Sequence, residues 1–267
     1  MIKLTSVLIA CAALGVAQDK VTVPLSNPSQ PVSVKAHLML GSITVTGGGA
    51  AGQVVVESSS GESRNRREPR DVPSGMHRID MGGGGFDVTE EHNVVTINSE
   101  RPQGNGHITI QVPTNASLEL KSISGGKIVV TGVSGEIDVE NMNGSIELQN
   151  VSGNVVASSQ NGTITASLDK VAAGKPMSFT TMNGKVDVTL PGDTKAKLRL
   201  KTDNGNVYSD FDVKMEPDAS KPVVEDTRGT GGRYRIRMDH SVFGTINGGG
   251  PEYRFETMNG SILIHKK

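Results

Sequence analysis

Two acidic residues, Glu147 and Asp187, are the best placed in this sequence to do acid–base chemistry. Each directly follows an apolar residue in a Gly-x-Ile/Val-x unit, and Thr165 holds the equivalent position between them. On strands about 4.8 Å apart they would lie about 9.6 Å from each other, near the carboxylate separation of inverting glycosidases. We prefer a second interpretation, a charged sheet face that keeps the protein soluble, because no His, Arg or aromatic column accompanies the pair.

A row of alternating arginines is the second candidate site. Arg233, Arg235 and Arg237 alternate with Tyr234 and Ile236, so one face of the predicted strand would present three guanidinium groups. An anionic polysaccharide or a lipid head group could bind there. The preferred alternative is an edge strand protected from aggregation by its charge.

Other chemistry lacks its usual residues. The single cysteine is near the N-terminus, no Gly-x-Ser-x-Gly motif occurs, and the six histidines form no i, i+2 or i, i+4 pair. A calcium-binding roll needs recurrent Asp ligands, whereas a Gly-rich run ending in Asp occurs once, at 82–87. We therefore predict a protein that is not an enzyme and has no metal site and no cofactor.

The N-terminus predicts export. Lys3 precedes a mostly apolar run, and residues 1–17 have the pattern of a signal peptide that is cleaved after Ala17. The mature chain is then expected in the periplasm, on the cell surface or outside the cell. Leu8 to Cys11 also resembles a lipobox, in which Cys11 would carry a lipid and anchor the protein to a membrane; ordinary cleavage is preferred.

A strict internal repeat predicts the fold. Five nine-residue units run from 124 to 168, each with glycine third and a β-branched residue fifth, and Ser-Gly and Asn-Gly turns alternate. We predict an all-β fold, a single-stranded β-solenoid with two-sided coils of about 18–22 residues and irregular N-terminal strands. Its inward residues are Ile137, Val139, Ile146, Leu148, Val155, Ile164, Val186 and Val188.

The Asn-Gly turns predict a column along one corner of the solenoid. Asn143, Asn161, Asn183 and Asn204 would stack there in chain order, close enough for their amides to hydrogen-bond from coil to coil. The preferred interpretation is that Asn and Gly only supply the positive φ of a tight turn.

The rest of the chain extends this single elongated domain, which we place at 18–267. Strands are expected at 53–57, 77–81, 86–89, 94–98, 107–112 and 233–238, and a charged loop at 58–75. The net charge of -1 and the aromatic content of 3% argue against nucleic acid as a partner and against an aromatic sugar-binding groove.

The layout resembles a known family. An early Gly-x-Ile-x-Val strand at 41–45, the junction at 110–120 leading into Ser124-Gly125, the alternating turns and the terminal Met258 to Ile262 unit are similar to the bacterial "putative adhesin" family of exported β-solenoid proteins. The resemblance covers most of residues 35–267. It implies the fold and an adhesin-like role, and it supplies no catalytic or binding residues to carry over.

These observations together predict an exported, non-enzymatic, adhesin-like protein of the bacterial envelope or surface. Its partners would be a surface polysaccharide or an envelope protein, bound through repeated faces, and a membrane only if Cys11 is lipidated. A passive envelope scaffold and a solenoid-based polysaccharide-active enzyme are the alternatives.

Overall fold

The computed structural model describes residues 19–60, 86–99, 106–216, 223–226, 234–237 and 241–267. Within these ranges the regular structure is all β, and no helix is long and apolar enough to cross a membrane. Among the described residues, twenty strands form one large mixed sheet, and β18 and β19 form a separate two-stranded sheet.

The strands are β1 (Asp19–Pro24), β2 (Val32–Leu40), β3 (Ser42–Thr46), β4 (Gln53–Ser60), β5 (Phe86–Glu91), β6 (Val94–Ser99), β7 (Gly106–Gln111), β8 (Ala116–Ser124), β9 (Ile128–Thr131), β10 (Ser134–Asn143), β11 (Ile146–Asn161), β12 (Ile164–Val171), β13 (Met177–Asn183), β14 (Val186–Leu190), β15 (Ala196–Asn204), β16 (Val207–Ser209), β17 (Lys214–Met215), β18 (Val223–Asp226), β19 (Tyr234–Arg237), β20 (Val242–Ile246), β21 (Glu252–Asn259) and β22 (Ile262–Lys266).

The pairings of the large sheet follow two stacks. The first stack runs β5, β6, β2, β8, β10, the second half of β11, β13, β21, β15, β20 and β17. The second stack runs β1, β4, β7, β3, β9, the first half of β11, β12, β14, β22 and β16. One coil consists of a strand of the first stack and the strand that follows it in the chain, which belongs to the second stack. In the middle of both stacks, neighbouring coils pair in parallel.

The inward positions predicted from the repeat are confirmed. Ile146, Ile164 and Val186 occupy one register across three neighbouring coils, 18 and 22 residues apart. All eight predicted inward residues are buried in one aliphatic core. Alternation between apolar and polar residues puts one set inside, because successive side chains of a strand point to opposite faces.

The coils are not stacked in chain order, which corrects the sequential arrangement expected for the column. The C-terminal coil, β21 and β22, lies between the coil of β13 and β14 and the coil of β15 and β16. The N-terminal coil, β2 and β3, likewise lies between β6 with β7 and β8 with β9. Strands distant in sequence are therefore neighbours in the sheet.

The two corners differ from the expected pair of tight turns. At 151–153 the predicted Ser-Gly turn is a bulged corner inside the continuous strand β11, with Asn150 at a φ of 50° and Gly153 at 115°. At the Asn-Gly corner, Gly144, Gly162 and Gly205 do not have positive φ, so the turn geometry expected of these glycines is wrong.

Close stacking explains the glycines of the Asn-Gly corner. A Cβ on Gly162 would lie 2.1 Å from the carbonyl oxygen of Gly144, and one on Gly144 would lie 2.0 Å from that of Gly126. The same contact recurs at Gly184, Gly260 and Gly205. Only a residue without a side chain allows neighbouring coils to approach this closely.

The largest core side chains lie where the C-terminal coil enters the stack. Phe179 of β13 and Phe255 of β21 stack with centroids 5.4 Å apart and ring planes at 11°, and Tyr253 beside them is buried. Such aromatic contact adds about 0.5–1.5 kcal/mol to the burial of the rings. It fixes β21 against β13 in the interior of the sheet.

The strands expected at 53–57, 86–89, 94–98 and 107–112 correspond to β4, β5, β6 and β7, and β4 extends through Ser60. The remainder of the expected loop, 61–75, and the strand expected at 77–81 lie outside the described residues.

Candidate functional site

A ladder of side-chain amides runs along the Asn-Gly corner. Asn161 donates to Asn143 at 2.9 Å, Asn183 to Asn161 at 2.8 Å, Asn259 to Asn183 at 2.7 Å and Asn204 to Asn259 at 2.9 Å. We call these five residues the asparagine ladder. The preferred interpretation, turn geometry alone, is therefore wrong, and the order includes Asn259 because β21 enters the stack before β15.

Buried polar side chains support the same corner from inside. Thr181 donates to the carbonyl of Gly162 at 2.8 Å, and Thr257 donates to that of Gly184 at 2.9 Å. Equivalent bonds to the glycine of the preceding coil in the stack are made by the buried Ser122, Asn141 and Ser159 and by the half-buried Thr202. Each buried donor is thus satisfied, and each pins one coil to the next.

One outward register next to the ladder is mostly apolar. Five of its residues are apolar and 41–51% exposed: Met39, Ile123, Met142, Met182 and Met258. Gln160, between Met142 and Met182, and Asp203, beyond Met258, hold the other two positions. We call the five apolar residues the methionine ridge. Five aligned apolar side chains that remain exposed mark an interaction surface more clearly than scattered ones.

A trough runs beside the ridge on the first stack. One cavity of about 420 Å³ is lined by the ridge residues Met142, Met182 and Met258 and by residues of β15. A second, of about 480 Å³, shares Met142 with the first and continues past Ile123 to Met39. The two form one elongated depression that crosses the coils, since they share lining residues.

Charged residues flank the two ends of the trough. At one end Glu119 accepts an ion pair from Lys35 at 3.1 Å and another from Lys121 at 3.1 Å, with His37 at 3.6 Å. Hydrogen bonds from Lys121 and then Lys35 hold the pKa of Glu119 below its ordinary value, and burial raises the pKa of the adjacent Asp138. At the other end Glu256 lies 3.7 Å from both Arg199 and Arg254.

One known protein family matches most of the chain in sequence. Residues 18–241 match the family described as Toastrack DUF4097. The chain belongs to this family. The match confirms the resemblance derived from the repeat pattern, and it assigns no activity. No curated protein matches the chain in sequence.

A solved structure also resembles this Toastrack chain. It is the crystal structure of a protein titled "putative cell adhesion protein" from Clostridium sporogenes, with 10% sequence identity and a TM-score of 0.38. The alignment covers 94% of the present chain and 100% of that protein.

The carboxylates predicted as a pair take the expected register in this Toastrack chain, but each has its own cation. Glu147 pairs with Thr165, and Thr165 pairs with Asp187, on three adjacent strands. Glu147 contacts Lys127, and Asp187 contacts Lys185 at 2.8 Å and His265 at 3.5 Å. Within the described residues no group of three or more His, Cys, Asp or Glu side chains is arranged to hold a metal ion.

Two residues of the arginine row belong to the separate two-stranded sheet. Arg235 and Arg237 lie on β19, which in the described part of the chain pairs only with β18 and sets Arg235 opposite Glu225 and Arg237 opposite Val223. Arg233 and Cys11 lie outside the described residues. The anionic-ligand face and the lipid anchor therefore stay predictions.

The ridge and its trough are the features that sequence reasoning missed. Their signal is the tripeptide Met-Asn-Gly, which occurs three times, at 142–144, 182–184 and 258–260. The Asn-Gly pair alone indicates the corner. The recurrent methionine before it indicates that the outward position at this corner is apolar.

Proposed function

We propose that this chain is an exported, non-enzymatic, adhesin-like binding protein of the bacterial envelope or surface. The observation that carries the proposal is the methionine ridge with its trough, which crosses neighbouring coils and is interrupted at Gln160. A partner that lies along this surface makes one weak contact at each coil that carries a ridge residue. Repeated contacts add up in avidity because the second and later contacts are intramolecular.

The scaffold behind the surface is, in this proposal, an elongated β-solenoid of two-sided coils. The asparagine ladder and the buried polar row support it, since both repeat once per coil and join each coil to the next. A rigid backbone holds successive positions of the ridge register, Gln160 included, at the strand spacing of about 4.8 Å. The surface is thus preorganised, which lowers the entropy lost on binding.

Neither alternative function has an observation of comparable weight behind it. A polysaccharide-active enzyme would need Glu147 or Asp187 free to accept or deliver a proton, and each is paired with a lysine. A passive scaffold gives no reason for aligned, exposed methionines, which cost solubility.

The test is a binding comparison with purified protein lacking residues 1–17. Wild type and the double variant Met142→Glu, Met182→Glu are applied to an array of bacterial surface polysaccharides and to immobilised envelope proteins. We expect binding by the wild type and at least about a tenfold loss in the double variant. Met215→Glu is the matched control, because Met215 is exposed on β17, off the ridge. Binding that survives the double variant contradicts the proposal.

Export and anchoring are tested by cell fractionation. We expect the wild type in the periplasm, at the surface or in the medium. A cytoplasmic location contradicts the proposal. A shift of the protein from membrane to soluble fractions in Cys11→Ser supports the lipid anchor, and an unchanged distribution contradicts it.

A further inference from the structure

Each residue of the asparagine ladder is followed by glycine, a pair that is prone to deamidation. The glycine amide nitrogen attacks Cγ of the asparagine, and the missing glycine side chain leaves that approach open. An N–Cγ bond forms, the Cγ–Nδ2 bond breaks and ammonia leaves, which gives a five-membered succinimide. Water then opens this ring to aspartate or to isoaspartate. The fold decides which of the five pairs can react, because the attacking nitrogen must first be free to turn.

The attacking nitrogen is hydrogen-bonded in four of the five pairs. In each of these the glycine N–H donates at 3.0 Å to the asparagine carbonyl of the next coil: Gly144 to Asn161, Gly162 to Asn183, Gly184 to Asn259, and Gly260 to Asn204. All four glycines are also half-buried. Their nitrogens can attack only after neighbouring coils separate locally.

Gly205 ends this series and lacks the bond. Its N–H has no acceptor among the described residues, and both Asn204 and Gly205 are exposed. The next strand of the first stack, β20, pairs with β15 only from Ala196 to Leu200 and so does not reach this corner. The pair of Asn204 and Gly205 is therefore the one ladder pair, within the described chain, whose attacking nitrogen faces solvent.

The rest of Asn204 is also held less firmly than the inner ladder residues. The peptide groups after Asn161, Asn183 and Asn259 are bonded on both sides, whereas the one after Asn204 has only the bond that its carbonyl accepts from Gly260. The side chain of Asn204 donates to Asn259 at 2.9 Å and accepts no hydrogen bond from a described residue. Fewer bonds must break before the side chain and the nitrogen meet.

One Asn-Gly pair outside the ladder is the rival site. Gly248 is exposed, and its N–H has no described acceptor. The Nδ2 group of Asn247, however, donates to the carbonyls of Gly192 at 3.1 Å and Thr194 at 2.7 Å. These two bonds fix the side chain against a neighbouring turn, so Asn247 should react more slowly than Asn204. A further pair begins at Asn105, which lies outside the described residues.

We propose that Asn204 is a site of spontaneous deamidation in the folded protein. It reacts through a succinimide with Gly205 and becomes aspartate or isoaspartate, while the stack protects the other four ladder residues. The proposal goes beyond the binding function and does not depend on it, since the reaction needs only water.

The product should loosen the end of the second stack. A carboxylate at position 204 cannot donate to Asn259, so the last bond of the ladder is lost. Isoaspartate also adds a methylene group to the backbone between β15 and β16. Because all three residues of β16 are exposed and the strand pairs, in the described chain, only with β22, its pairing should open more often.

The test follows each site by peptide mass spectrometry while folded wild type is incubated at neutral and mildly alkaline pH. Electron-transfer fragmentation distinguishes isoaspartate from aspartate. We expect Asn204 to react at least about tenfold faster than Asn161, Asn183 and Asn259, which must break more hydrogen bonds. It should also react faster than Asn143 and Asn247, and its rate should rise with pH because hydroxide removes the glycine amide proton. An equal or faster rate at any of these sites overturns the proposal.

Unfolding separates the effect of the fold from that of local sequence. In urea every glycine nitrogen is free, so the five ladder residues should react at similar rates. If Asn204 keeps the same advantage in urea, its neighbours in sequence select it, and the protection by the stack is wrong.

The variant Asn204→Gln tests the consequence for β16. Glutamine keeps the side-chain amide but would have to close a six-membered ring, so incubation should leave this site intact. Hydrogen exchange at Tyr208 and Ser209 should be faster in incubated wild type than in fresh wild type, and unchanged by incubation in Asn204→Gln. Unchanged exchange in wild type that carries the product overturns the loosening of β16.

Discussion

Asn259 donates its side-chain amide to the Oδ1 atom of Asn183 at 2.7 Å, although 76 residues separate them in the chain. The bond exists because the C-terminal coil lies inside the stack and not at its end. The asparagine ladder thus joins the last strands of the protein to its most regular repeats.

Breaking the asparagine ladder in its middle should lower the free energy of unfolding more than removing its last residue does. Asn259→Ala removes the bonds to both Asn183 and Asn204, and we expect a loss of about 1–2 kcal/mol in the free energy of unfolding. Asn204→Ala removes only the bond to Asn259 and should cost about half as much. Urea denaturation measures both, and equal costs would show that the ladder bonds do not act separately.

A methyl group in the glycine column should disrupt the stack. In Gly162→Ala the new Cβ would lie 2.1 Å from the carbonyl oxygen of Gly144, a backbone atom that cannot move aside without opening the coils. We expect a loss of at least about 3 kcal/mol or a failure to fold. Gly106→Ala is the control, since a Cβ added there would have no described atom within 4 Å. Equal stability of the two variants would contradict the close approach of the coils.

The contact between His265 and Asp210 should make stability depend on pH. His265 Nδ1 lies 3.0 Å from Asp210 Oδ2, and this hydrogen bond, followed by one from the backbone of Lys266, lowers the pKa of Asp210 from 3.8. The unfolded chain therefore takes up a proton first as the pH falls, and the stabilisation, present above the unfolded pKa, is lost as pH falls through the lowered value.

The variant Asp210→Asn isolates this effect. Its melting temperature should lie below that of the wild type at about pH 6, and the gap should close as the pH falls through the lowered pKa of Asp210. Thermal melts followed by circular dichroism across this range measure the gap. A gap that stays constant with pH assigns the effect of the substitution to something other than the ionised carboxylate.

The exposure of the methionine ridge should be visible in its reactivity. Met182 is 41% exposed, whereas Met177 on the same strand is 2% exposed. In dilute hydrogen peroxide the sulfoxide of Met182 should form at least about tenfold faster than that of Met177 in the folded protein. Peptide mass spectrometry measures the two rates. They should become equal in urea, and equal rates without urea would contradict the exposed ridge.

Much of the architecture could be predicted from local pattern. The period of two within each strand predicted the inward residues from Ile137 to Val188. The Asn-Gly spacing predicted the corner and also Asn143, Asn161 and Asn183, which accept three of the four hydrogen bonds of the asparagine ladder. The reason proposed for Gly144, Gly162 and Gly205, a positive φ, was wrong, because the contact that demands these glycines comes from a neighbouring coil. The ridge was missed although Met-Asn-Gly repeats three times.

By itself, the sequence determined the family, the all-β class and which face of each strand is buried, because these depend on residues close together in the chain. Only the tertiary structure decided which coil lies beside which. The coils of Asn183, Asn204 and Asn259 have the same Asn-Gly corner, so the local sequence pattern does not determine the order in which they pair. The order is set by long-range packing, above all by Phe255 against Phe179, and that order brings Met182 beside Met258 and completes the ridge.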